Sequence, residues 1–169
     1  MLPGSPAIDK GNSFTATTDQ RGEVQPSDFF TISNASGGSD IGAFELQAPP
    51  DTTPPSVSCS ATPSKLRLPA NNHKPVTVTA SVTVTDGEGS GQNGYNLVSV
   101  TSNQPDSGLG PDAVPGDIQG WTIGTNDTSG QLRAERYGGP RTYTLAYRGY
   151  DVAGNTRDCS ATVTVPKRG

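Results

Sequence analysis

"VTVTASVTVT", residues 76–85, sets Val76, Val78, Ala80, Val82 and Val84 against Thr77, Thr79, Ser81, Thr83 and Thr85 without a break. Successive Cβ atoms of an extended chain point to opposite sides, so a period of two sends the first group to one face and the second to the other. One face packs and the other meets water, which predicts a half-buried antiparallel strand. The same alternation recurs in Val57, Cys59 and Ala61 and in Cys159, Ala161, Val163 and Val165. Four further segments read as strands: Leu97 to Thr101, Trp121 to Ile123, Gln131 to Arg136 and Arg141 to Asp151. With Arg157 to Val165 as the last, seven strands separated by Gly, Asn and Asp signals predict a β-sandwich. No stretch carries a helical period with caps, so the chain is expected to be all-β. "QNGY", Gln92 to Tyr95, offers an Asn-Gly pair for a tight hairpin turn, although Gly87 to Gly94 is also long enough for a looser loop.

Cys59 and Cys159 fall on the apolar parity of their strands. They can meet if the first and last strands of the sandwich lie near one another. A bridge would close a loop of about 100 residues, worth about 4 to 5 kcal/mol in the chain-entropy model, and would persist only in an oxidising compartment. Two reduced cysteines acting as small apolar side chains are the alternative.

Composition narrows the function classes. The 169 residues carry 12 basic and 16 acidic side chains, a net charge of −4, so no basic surface for nucleic acid is expected. No apolar run approaches the roughly 20 residues of a membrane span. Met1-Leu2-Pro3 lacks the features of a signal peptide, which fits a cytosolic protein or a piece of a longer exported one; the cysteines favour the piece. "QAPPDTTPPS", residues 47–56, holds four prolines that enforce extended backbone and reads as a linker. It separates residues 1–46, with short strand-like patches at Ala7-Ile8, Phe29 to Ile32 and Ile41 to Leu46, from a sandwich over 57–169.

"YRGYDVAGNTRDCSATVTV", residues 147–165, together with "DTTPPSVSCS" at 51–60, resembles the two ends of the hyalin-repeat type of immunoglobulin-like domain found in extracellular and bacterial surface proteins. The resemblance covers Asp51 to Pro166, with a longer middle that resembles a larger bacterial variant. Asp151 and Asn155 bracket a Gly-containing turn whose amides their side chains can bind. At the other end, "LPGSPAIDKGN", "TDQRG" and "GGSDIGAFEL" resemble, in that order, the final turn and cap of bacterial right-handed parallel β-helices of the choice-of-anchor type. That resemblance covers Leu2 to Leu46 and implies upstream β-helix coils as partner, because one coil cannot bury its inner face alone. Ile8, Ile41, Ala43 and Phe44 are then expected to be partly stranded. An irregular arm docked on the sandwich is the other reading of this region.

Candidate sites are few. In the cap, Arg21 has Asp9, Asp19, Asp40 and Glu45 as possible carboxylate partners, an arrangement suited to fixing a coil end and less to catalysis. His73 is the only histidine, so a histidine-based metal cluster or catalytic triad is not expected. The long loop from Ser102 to Gln119 interleaves Asp106, Asp112 and Asp117 with Gly108, Gly110 and Gly116; hard oxygens there could assemble around Ca²⁺, or simply be solvated. Tyr143 and Tyr147 share a face with Leu145 and belong to the core. Trp121, Tyr137 and Tyr150 remain as candidates for stacking on sugar rings. Set beside these residues, the two resemblances imply a non-catalytic structural or adhesive C-terminal region of a secreted or cell-surface bacterial protein. Its contacts would be extracellular polysaccharide or protein. The alternative is a carbohydrate-binding accessory to an upstream polysaccharide-degrading β-helix enzyme.

Overall fold

The computed structural model describes residues 2, 4–29, 31–67, 74–87, 91–106 and 115–167. The chain divides into two compact units: unit 1 up to Thr53, and unit 2 over Pro54–Asp86 and from Gly91 onward.

Unit 2 is a β-sandwich of two antiparallel sheets, and no helix occurs among the described residues. Its strands are β1 (Ser56–Thr62), β2 (Pro75–Thr85), β3 (Gln92–Ser102), β4 (Ile118–Gln119), β5 (Ser129–Arg133), β6 (Arg141–Asp151) and β7 (Thr156–Val165). One sheet has the order β1-β2-β5-β4 and the other β3-β6-β7. The alternation that predicts β2 sets its packing: Val78, Ala80 and Val84 are buried while Thr77, Thr79, Ser81, Thr83 and Thr85 are exposed. From the facing sheet, β6 sends in Tyr143, Leu145 and Tyr147, and Leu97 and Leu132 complete the centre of the core. Burying side chains of this size contributes roughly 1.5 to 3 kcal/mol each. Both phenols keep a partner inside: Tyr143 donates to the Arg133 carbonyl at 2.8 Å and Tyr147 to that of Asp127 at 3.1 Å. Burial raises both phenol pKa values, that of Tyr147 to about 12.

Two expected elements differ. Trp121 to Ile123 is not a strand; the fourth strand lies earlier, with Ile118 opposite Leu132 and Gln119 opposite Gln131. Gly120, at φ +72°, turns the chain out of the ladder. The Asp127 carboxylate then accepts the Thr122 and Ser129 amides at 2.7 and 3.0 Å, closing a turn where a strand would need those donors. Gln92 to Tyr95 forms no hairpin turn either, because it lies inside β3, with a register shift between Gln92 and Gly94. Gly94 lies close under Tyr150 there: an added Cβ would meet its hydroxyl at 3.1 Å, a tight contact.

Unit 1 has no strand among its described residues. Its regular pairing is two antiparallel bridges, Gly11 with Ser39 and Thr18 with Val24. Ala7-Ile8 and Ile41 to Leu46 are irregular, as are the described residues of the Phe29 to Ile32 patch. Ile8 is fully buried rather than stranded, whereas Ile41 is 59 % exposed and Ala43 is exposed. Phe44 is half-buried, with the Arg21 guanidinium 3.6 Å from its ring centre.

Candidate functional site

The interior of unit 1 is built from carboxylates. Asp9, Asp19, Asp40 and Glu45 are all buried, and each accepts main-chain amides that no ladder satisfies. Asp40 takes the amides of Asp9 at 3.0 Å and Leu46 at 2.7 Å; Glu45 takes those of Ser27 at 2.8 Å and Asp40 at 3.0 Å. Asp19 accepts from Arg21, Glu23 and Glu45. Of the four carboxylates expected near Arg21, Asp19 is the one it pairs with, through Nε at 2.8 Å and Nη2 at 2.7 Å. Arg21 Nη2 also donates to the Glu45 carbonyl at 2.5 Å. Burial opposes ionisation of Asp19, but the guanidinium and three amides outweigh it and hold its pKa well below the usual range. Asp9 goes the other way. Its Oδ2 accepts one long bond from Phe29 at 3.3 Å, and its Oδ1 is buried without a partner. Burial raises its pKa, and the charges of Asp28, Asp40 and Glu45 add to the effect.

No protein-family model, curated protein or solved structure matches the chain. The chemistry of each site therefore rests on its own geometry.

In unit 2, the long loop is anchored by ion pairs. Asp106 accepts the amides of Gly116 at 2.8 Å and Asp117 at 2.5 Å, which lower its pKa. Asp117 lies between two guanidinium groups, 2.5 Å from Arg141 Nη1 and 3.3 Å from Arg133 Nε. Thr101, Ser102, Gln104, Asp106, Asp117 and Arg141 line a cleft of about 410 Å³. The structure thus brings Asp106 and Asp117 together; the Asp106 oxygens accept amides and Asp117 Oδ2 pairs with Arg141, while Asp117 Oδ1 faces Arg133 without a hydrogen bond. Asp112 lies outside the described residues, as does His73. The sequence reading missed Arg133 and Arg141. The missed signal was parity: Arg141 shares the inward face of Tyr143, Leu145 and Tyr147, so a buried charge with partners was implied.

At the far end of the same strand, Asp151 has a similar inward place. Its oxygens accept the Asn155 amide at 2.7 Å and side-chain Nδ2 at 2.9 Å, with Gly154 at φ +92°, as the sequence predicts for this turn. Asp86 Oδ2 is buried without a partner, and a carboxylate oxygen of Asp86 lies within 4.8 Å of one from Asp151.

The three candidate sugar-stacking rings are differently placed. Tyr137, 62 % exposed, precedes β6, while Tyr150 is half-buried near the end of that strand. The nine residue steps from Arg141 to Tyr150 span about 30 Å of strand. Trp121 is half-buried, and its indole lies where a Cβ on Gly130 would be. A different surface is continuous: the outer face of the β1-β2-β5 sheet. Ser56 pairs with Thr85, Ser58 with Thr83, Ser60 with Ser81 and Thr62 with Thr79, and Thr77 and Thr79 pair in turn with Gln131 and Ser129. Every one of these residues is exposed and none is charged.

The Cys59–Cys159 bridge is closed, joining β1 to β7 with Cα atoms 5.8 Å apart. Just beyond β1, Lys65 makes a parallel bridge with Thr164, secured by Leu66 N–H to the Thr164 carbonyl and Thr164 N–H to the Ser64 carbonyl, both at 2.9 Å.

Proposed function

We propose that this chain is a non-catalytic structural and adhesive region of a secreted or cell-surface bacterial protein. In this reading unit 1 is the C-terminal cap of a right-handed β-helix and unit 2 is an immunoglobulin-like domain. The observation that carries it is the bridge between the first and last strands, since such a bond persists in oxidising compartments. The strand order supports the immunoglobulin-like assignment: β1-β2-β5-β4 over β3-β6-β7 corresponds to the ABED and CFG sheets of a constant-type domain. Tyr143, near the start of the sixth strand and bonded back to the Arg133 carbonyl, is placed like the tyrosine corner of such domains. In unit 1, carboxylates occupied by amides and Arg21 support a scaffolding role over a catalytic one. The uncharged hydroxyl face of unit 2 favours a neutral polysaccharide as the adhesive contact.

The test has two arms. Exported from a bacterial host, the chain should carry no free thiol, and free thiols in that material would sink the extracellular reading. Incubated with purified cell-wall polysaccharide, cellulose and chitin, it should co-sediment with at least one and leave it uncleaved, and Ser60→Lys with Thr79→Lys should release it. Cleavage of the polymer, or binding indifferent to those two lysines, would overturn the adhesive assignment.

A further inference from the structure

Chain connectivity through unit 2 has a mechanical consequence. The polypeptide comes in through β1 and goes out through β7, and Cys59 and Cys159 lie on those two strands, 100 positions apart in sequence. Tension applied to the segments on either side therefore reaches the sulfur–sulfur bond after only a few residues. On the incoming side these are Pro54 to Ser58; on the outgoing side, Ser160 onward. Everything between the cysteines lies in a covalent loop that carries no load once the bridge is taut.

We propose that the Cys59–Cys159 bridge limits the extension of unit 2, so that pulling on the chain cannot unravel the part of the sandwich between the two cysteines while the bond is closed. This rests on the reading of unit 2 as a spacer in a surface protein, where an adhesive contact would transmit tension along the chain. The strand geometry adds to the effect. The parallel bridge of Lys65 with Thr164 shows that the chain beyond β1 and β7 run in the same direction side by side. Unit 2 is consequently entered at one end of this strand pair and left at the other, and tension acts along the strands rather than unzipping them. The outgoing residues Ser160 to Val165 are also held by their ladder with β6, from Ala146 opposite Ser160 to Arg141 opposite Val165. Peeling them means breaking that ladder and the two bonds to Ser64 and Leu66 before the bridge bears load.

Opening the bond converts this short path into a long one. An extended chain spans about 3.3 to 3.6 Å per residue, so a loop of 100 positions releases about 330 to 360 Å. Reduction by an external dithiol, which leaves as its own disulfide while Cys59 and Cys159 become two thiols, would thus act as a switch between a stiff and an extensible link.

The experiment is single-molecule force spectroscopy on the full chain, tethered at its two ends, first oxidised and then with dithiothreitol added to molecules already held folded. Unit 1 contributes the same extension under both conditions. The oxidised chain should lack the step of about 330 to 360 Å, and the reduced chain should gain it. The double variant Cys59→Ser/Cys159→Ser should behave as the reduced chain, and the in-place reduction keeps the test valid should that variant not fold. A full-length step from the oxidised chain at forces that leave covalent bonds intact, or equal total extensions before and after reduction, would overturn the proposal. Neither result bears on export or polysaccharide binding, so failure here is distinguishable from failure of the surface-protein reading.

Discussion

Replacing Arg141 by methionine probes the most heavily bonded side chain of unit 2. Arg141 is 1 % exposed and spends its donors on Ser102 Oγ at 2.8 Å, the carbonyls of Gln104, Pro105 and Glu135, and the Asp117 carboxylate. Methionine fills much of the same volume but returns none of these bonds. The carbonyls belong to loop residues that water can reach, so their loss costs least. Asp117 is the expensive partner, being itself 2 % exposed and left with Arg133 alone at 3.3 Å. Breaking a buried pair from one side costs about 3 to 5 kcal/mol, because an uncompensated charge stays behind. Arg141→Met should therefore lose about that much, and Asp117→Asn in the same chain should recover about half by removing the stranded charge. The assay is urea unfolding of the full chain followed by fluorescence of Trp121, the sole tryptophan, which reports on unit 2. A single-variant loss below about 1 kcal/mol, the size expected of a surface pair, or strictly additive losses in the double variant, would show that Arg141 and Asp117 are not coupled as described.

Three further outcomes are expected. Gly149→Ala should destabilise unit 2 by about 1 to 3 kcal/mol in the same unfolding assay, since its Cβ would sit 2.5 Å from Val57 Cγ2 and 3.0 Å from Val84 Cγ2 where the sheets face each other. Asp106→Ala should lower the melting temperature by the same amount with chelator as with several millimolar calcium, because the oxygens it removes serve the Gly116 and Asp117 amides. Unit 1 should be most protected in mildly acidic solution, read by hydrogen exchange at the Gly11 and Ala35 amides. The depressed pKa of Asp19 gives stability that is present above about pH 3.9 and lost on acidification, whereas the raised pKa of Asp9 gives stability that is full below about pH 3.9 and lost as the pH climbs through its folded value. Asp9→Asn, which also tolerates the residue's φ of +56°, should abolish the loss on the alkaline side alone.

Parity made most of unit 2 legible. Because a strand shows alternate residues to each face, the runs around Val78, Cys59 and Cys159 fix which side chains point inward, and the sandwich and its bridge follow from them. The expected strand over Arg141 to Asp151 coincides with β6. Parity fails where a single residue redirects the chain. Gly120 ends β4 before Trp121-Thr122-Ile123 begins, so the Trp121 ring there marks packing on Gly130 and not a strand, and Ile123 is exposed. The loop cluster is half legible: the sequence groups Asp106, Asp112 and Asp117 as oxygens for Ca²⁺, but Asp106 serves the Gly116 and Asp117 amides, the partners of Asp117 lie in β5 and β6, and no local pattern announces an arginine arriving from β6.

Unit 1 resists pattern reading for a different reason. Its backbone amides end partly on Asp19, Asp40 and Glu45 and partly on carbonyls in turns and isolated bridges instead of in ladders, so neither a period of two nor a period of 3.6 is imposed on the apolar residues. What the sequence must supply is a carboxylate at each point where amides converge, as at Asp19, Asp40 and Glu45. The two units accordingly differ in what a reductant can reach. The sandwich has an apolar core and a covalent bridge between its terminal strands, so its stability depends on redox state, and the shifted carboxyls of Asp106, Asp117, Asp127 and Asp158 make it respond to pH as well. The carboxylate-centred unit has one buried apolar side chain, Ile8, among its described residues and holds no cysteine, so pH acts on it and reductant does not. Hydrogen exchange resolved by unit, with pH and dithiothreitol varied independently, should find reductant loosening unit 2 and leaving unit 1 unchanged; loss of protection in unit 1 on reduction would contradict this division.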